Sequence, residues 1–147
     1  MNPAPHPLSY ERRAYVARLL NQAQASLVNA LDEALAPYDI SAAQYVILST
    51  LASGRGETAA AICKDISYSP GAMTRMINRL VDKELVLRAE HPDNRRKNRL
   101  QLSSKGHALF PLVFAAASQV IDRHLSSFNG TQLQQLQEML EQMLGRD

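Results

Sequence analysis

At 147 residues, 46% hydrophobic and 20% charged, the chain has the size of a single domain that buries its own core. That length leaves no room for a large cofactor domain beside a substrate domain. The formal net charge is only +2, but residues 64 to 105 hold ten Lys/Arg against five Asp/Glu, a net of +5, while the remainder carries −3. A cationic segment set in an acidic chain points to a polyanionic partner.

Residues 1 to 8 include Pro3, Pro5 and Pro7 and read as an irregular arm without the basic-then-apolar order of a secretory signal. Ser9 precedes a long helical pattern, 9 to 36, with Val16, Leu20, Ala23, Leu27, Ala30, Leu31 and Ala34 on one stripe. Pro37 ends it. Ser41 caps a second helix, about 42 to 53, with Tyr45, Leu48 and Leu51 on its apolar side, and SGRG at 53 to 56 is a loop. Thr58 opens a short helix, TAAAICKDI, and Ser67-Tyr68 turns the chain into SPGAMTRMINRL at 69 to 80.

In that stretch Ser69 caps and Pro70 suits a first helical turn. Met73, Met76, Ile77 and Leu80 form one stripe, and Gly71, Thr74, Arg75, Asn78 and Arg79 lie opposite. The polar face mixes hydrogen-bonding groups with arginine and contains almost no acid. It suits a recognition helix in a DNA major groove, where arginine donates twice to guanine and threonine serves a base or a phosphate. Gly71 allows close backbone approach, and Ser69 stands at a helix N-terminus that favours a phosphate.

Beyond Lys83 the period shortens to two. ELVLRAE (84 to 90) and RLQLS (99 to 103) read as two strands, with HPDNRRKN as the turn between them. The tip carries Asn94, Arg95, Arg96 and Lys97, suited to a narrow minor groove, with Lys97 and Arg99 set for phosphates. From Ser104 a long helix resumes through Leu109, Val113, Ala116, Val120 and Ile121 until Asn129-Gly130 breaks it. Thr131 caps a last helix with Leu133, Leu136, Leu140, Met143 and Leu144 on a stripe that finds nothing to cover it within so small a head. The fold class is therefore mainly α with one small β-hairpin. A winged helix-turn-helix over 41–103 is flanked by dimerisation helices over 9–36 and 104–147, all within one domain.

The segments ISAAQYVILSTLA, TAAAICKDISYSPGAMTRMINRLVDKELVLR and HPDNRRKNRLQLSSKG resemble the MarR family of bacterial transcriptional regulators. In the family's wing pattern Arg96, Leu100, Leu102 and Gly106 match, Ser103 replaces a threonine, and Asn94 stands where the wing aspartate is expected, with Asp93 one residue early. The resemblance implies an obligate homodimer that sets two recognition helices in successive major grooves, about 34 Å apart, on a pseudo-palindromic double-stranded DNA operator. It implies repression relieved by a small aromatic or phenolic carboxylate. Arg13 and Arg18 would pair the acid, and Tyr38, Tyr45 and His107 would supply rings and hydrogen bonds.

Two other functions are open to the same chain. One is redox regulation through Cys63, although redox-sensing relatives carry their cysteine near the start of the first helix, where this chain has none. The other is a winged-helix module that binds protein. The histidines, His6, His91, His107 and His124, form no helix-spaced pair and no glycine-rich phosphate loop is present, so neither a metal, a cofactor nor catalysis is expected. With no run of about 18 apolar residues to enter a membrane, the chain is expected to be cytoplasmic.

Overall fold

A computed structural model describes residues 7–66, 68–91 and 94–146, with residues 94–98 of the hairpin described by their backbone. Six α-helices and one antiparallel hairpin follow in the order α1 (Pro7–Leu35), α2 (Ala42–Ala52), α3 (Ala59–Asp65), α4 (Pro70–Asp82), β1 (Val86–His91), β2 (Asn94–Leu102), α5 (Ser104–Leu125) and α6 (Gly130–Met143). Among the described residues no helix is long and apolar enough to cross a membrane.

The 29 residues of α1 span roughly 43 Å at 1.5 Å per residue. Its C-terminal half packs against α5 and contributes Leu31 and Leu35 to the core. The stripe that looks continuous in sequence is only half covered: Leu27, Ala30 and Ala34 touch the core, whereas Val16 and Leu19 are exposed beside Tyr10 and Tyr15. Pro37 lies inside a 3₁₀ turn, Ala36–Tyr38, and Asp39 then reverses the chain in the left-handed region at φ 56°. At its N-terminus α1 begins two residues before Ser9, at Pro7, because proline is acceptable in a first helical turn.

Ser41 and Gln44 close a capping box on α2, and Asp32 of α1 accepts a second hydrogen bond from Ala42 N at 2.7 Å. Ala42, Tyr45, Ile47, Leu48 and Thr50 are all buried, so α2 is the central helix of the head. Around it stand α1, α4, α5 and β2. Thr58 caps α3 and Ser69 caps α4, each accepting from the backbone N–H three residues on.

Two boundaries move from their sequence positions. Residues 94 to 98, expected in the turn, belong to β2, with Glu90 opposite Asn98 and His91 opposite Asn94. The register shifts between those pairs, so Arg95, Arg96 and Lys97 fall at an irregularity of the ladder rather than in a free loop. Pro92 and Asp93 lie outside the described residues. At the far end α6 is capped by Asn129 through a capping box with Gln132, not by Thr131. The break expected at Asn129 comes earlier, since α5 ends at Leu125 with Ser126 as its C-cap, and Asn129 serves only to start α6.

Where α5 leaves the hairpin, Ser103 N donates to Leu85 O at 3.0 Å, Ser103 Oγ donates to Glu84 O at 2.5 Å, and the same Oγ caps Gly106 N at 2.9 Å. A β-carbon at Gly106 would sit 2.2 Å from Leu85 O, a backbone atom that cannot swing aside. Gly106→Ala should therefore destabilise the fold by about 1–3 kcal/mol despite alanine's better helix propensity. Urea denaturation of the two proteins checks this; equal stability would mean that the joint between hairpin and α5 relaxes freely.

Candidate nucleic-acid interface

Helix α4 divides as its sequence suggests. Met73, Ile77 and Leu80 are 0–2% exposed and Met76 is partly covered, whereas Gly71, Thr74, Arg75, Asn78 and Arg79 all face outward. Pro70 has no N–H and Ser69 Oγ accepts from Ala72 N at 3.2 Å, which leaves the N–H of Gly71 as the free donor at the helix start. A β-carbon at Gly71 would meet nothing within 4 Å. The space beside it is open to an incoming backbone or phosphate. Ser69 is exposed as well, but its hydroxyl oxygen is engaged as the helix cap.

The hydrogen-bonding groups on this face are not free rotors. Thr74 Oγ1 donates to Pro70 O at 2.9 Å, so its proton is spent within the helix and its oxygen faces outward as an acceptor. Asn78 Oδ1 accepts from an Nη of Arg88 at 2.5 Å. Arg88 was not singled out from sequence, because a strand residue ten positions from Asn78 becomes its neighbour only when β1 folds back along α4. The side chains of Arg75 and Arg79 make no hydrogen bond or ion pair to another described residue, and stand as exposed cations one helical turn apart.

On the wing, the side chains of Asn94, Arg95, Arg96 and Lys97 lie outside the described residues; their backbone places three consecutive basic positions, 95 to 97, at the ladder irregularity. Arg99, expected to meet phosphate beside Lys97, is instead paired within the chain. Its Nη lies 3.2 Å from Glu57 Oε1 in the loop ahead of α3, and Leu100 N donates to Glu57 O. That pair stitches β2 to the head and neutralises the arginine.

The five residues expected to bind an acidic effector do not converge. Arg13 and Arg18 are exposed on the uncovered half of α1, Arg18 with its guanidinium 5.6 Å over the ring of Tyr15. His107 is exposed on α5. Tyr45 is buried and stacked on Phe110 at 6.4 Å, where burial pushes its hydroxyl pKa up and a hydrogen bond with Ser49 and the charge of Arg55 pull in the opposite sense. Only Tyr38 borders a hollow of about 440 Å³, lined also by Lys83, Lys105, Leu109 and Leu112. The two lysines could not be assigned from sequence, since each reads as an ordinary solvated charge. Cys63 is half-buried on α3 against the core.

Comparison with known proteins agrees with this geometry. The family model described as "MarR family" matches residues 40–97, the span from the start of α2 to the wing. The multiple antibiotic resistance protein MarR of Escherichia coli is 28% identical over 130 residues, which cover 88% of this chain and 90% of that protein. A crystal structure of a mutant of E. coli MarR in complex with operator DNA superposes with a TM-score of 0.80 at 26% identity, covering 92% of this chain and 97% of that one. A MarR-like transcription regulator from Bacillus cereus shares the fold, with a TM-score of 0.76, 21% identity, and coverage of 92% and 97%.

Tyr45 yields a prediction on pH. Its hydroxyl pKa is raised above the ordinary value of 10.0, so the unfolded chain loses the phenolic proton first as pH rises. The stabilisation is complete below pH 10 and declines through the raised value. Thermal melts above pH 10 should therefore show a steeper loss of stability than in Tyr45→Phe; parallel curves would mean that Tyr45 ionises as easily folded as unfolded.

Proposed function

We propose that this chain, similar to the MarR family of transcriptional regulators, is a member of it and that two copies grip one double-stranded, roughly palindromic operator. Each copy lays the outer face of α4 in a major groove and the wing cations 95 to 97 along the neighbouring minor groove. The observation that carries the reading is the outer face of α4, where Gly71, Thr74, Arg75, Asn78 and Arg79 are exposed opposite a buried stripe and the helix's one acid, Asp82, stands at its far end. The mutant E. coli MarR that superposes on this chain was crystallised with operator DNA, which supports the same docking for this chain. Arg75 and Arg79 are the base- or phosphate-contacting cations, and Thr74 and Asn78 are the finer readers.

Dimerisation is supported by what the single chain leaves uncovered. Tyr10 is 69% exposed, Met143 64% and Leu144 61%, and no residue of α6 is buried. Apolar area of that extent along α1 and α6 is the signature of a surface that another chain covers. Repression by occlusion of a promoter is the proposed mode.

Release by a small aromatic or phenolic acid is the proposed regulation. Its seat is the hollow at Tyr38, where Lys83 and Lys105 offer two ammonium groups above the apolar side chains of Leu109 and Leu112. Arg13, Arg18 and His107 have no place in that site, and Tyr45 serves the core. Redox control through Cys63 is the weaker reading, because the thiol packs against core residues on a seven-residue helix.

Arg75→Ala should weaken binding to the preferred duplex by about 1–3 kcal/mol and relax the preference at one base position. Competition binding against a randomised duplex library reads both; an equal loss on every sequence would make Arg75 a phosphate contact. Deleting residues 131–147 should convert the dimer to monomers or aggregates in light scattering, and a stable dimer without them would remove α6 from the interface.

A further inference from the structure

Asn78 stands at the centre of the outer face of α4, and its side chain is met from the side by Arg88 of β1, Nη to Oδ1 at 2.5 Å. A guanidinium carries donors only, so the group turned towards it has to be the amide oxygen; the flipped amide would set N–H against N–H. The orientation of this carboxamide is therefore decided by chemistry. Nδ2, with its two protons, is the end left facing away from β1.

This matters for base reading. Asparagine recognises adenine by using both ends at once, Oδ1 accepting from the N6 amino group while Nδ2 donates to N7. Here a cation already occupies the acceptor end, and the adenine amino group would have to approach beside that positive charge. The donor end remains, and it complements bases that present acceptors to the major groove, guanine through O6 and N7 and thymine through O4. One turn earlier Thr74 is held in the opposite sense, its proton committed to Pro70 O and its oxygen outward. The helix face thus presents an acceptor at 74 and a donor at 78.

We propose that Arg88 is a specificity-determining positioning residue, which acts through Asn78 by holding its amide as a donor towards the major groove and so disfavours adenine at one position of each half-site. The inference rests on the proposed docking of α4 in that groove. It goes further by stating which atoms of the face are free to read.

The test is selection of randomised duplexes by the full-length protein and by Arg88→Met, Arg88→Lys, Asn78→Ala and the Arg88→Met/Asn78→Ala pair, at one salt concentration and again across a salt series. Wild type should favour guanine or thymine at the position that loses its preference in Asn78→Ala. Arg88→Met should raise adenine there by about tenfold relative to wild type, the scale of one two-bond base contact. Arg88→Lys, still a donor, should keep the wild-type preference, and Arg88→Met should change nothing further once Asn78 is alanine. Because Arg88 is exposed, the substitutions should leave the dimer and its melting temperature intact.

An unchanged base preference in Arg88→Met would overturn the proposal, as would a change that persists without Asn78. A uniform loss on all duplexes with a shallower salt dependence would overturn it too, by making Arg88 a phosphate contact. If wild type selects no preferred duplex at all, the docking of α4 itself fails, a result distinct from any of these.

Discussion

The polar face of α4 means something only because the helix cannot rotate about its own axis, and what prevents rotation is the burial of Met73, Ile77 and Leu80. Each such side chain is worth roughly 1.5–3 kcal/mol when removed from water. A turn of about one residue would expose part of that stripe and drive Arg75 or Arg79 towards the core, where an unpaired charge is prohibitive. The apolar side is thus the bearing on which the other side is aimed. Ser69 and Pro70 fix where the helix starts, and so fix which residues lie nearest the free N–H of Gly71.

Aim also depends on how the head is joined to the long helices, and the joint is polar. The Lys83 ammonium, at the C-terminal end of α4, donates to Asp39 O in the turn after α1, lies 3.4 Å from the Asp39 carboxylate and reaches Gln44 Oε1 at 3.2 Å. Lys105 of α5 donates in turn to Lys83 O at 3.1 Å. The exposed ion pair contributes little by itself. The hydrogen bonds to backbone carbonyls matter more, because they tie the recognition helix to both α1 and α5 at one point. Gly106 and Ser103 complete the joint from the hairpin side. The hollow at Tyr38 opens onto the same lysines, so a carboxylate seated there would compete with Asp39 for Lys83. Under the proposed regulation, that competition would link a bound acid to the angle of α4.

The long helices are unfinished as a single chain. The N-terminal half of α1 and α6 carry exposed apolar side chains, Val16, Leu19, Met139, Leu140 and Met143 among them, while most of α2 is buried in the head. Stability of the head and stability of the pair are therefore separable to a first approximation. This is why substitutions at Gly106 and truncation of α6 are read by different measurements.

Much was legible in the amino-acid order. The helical periods, the caps at Ser41, Thr58 and Ser69 and the inner stripe of α4 are all local, and local propensity agrees with the final packing. The wing showed as two runs of period two, but its register did not, since the shift beyond Glu90 depends on which backbone groups meet across the ladder. Asn129 displaced Thr131 as the last cap because the Asn129–Gln132 box satisfies two backbone donors where a single cap satisfies one. What only the tertiary structure decided are the long-range pairings: Arg88 with Asn78, Arg99 with Glu57, Lys83 with Asp39 and Gln44. In sequence Arg88 and Lys83 each read as a solvated cation and Arg99 as a phosphate contact. Periodicity reports which side of an element is apolar, whereas the partner of a charge is set by the folding of distant segments onto that element.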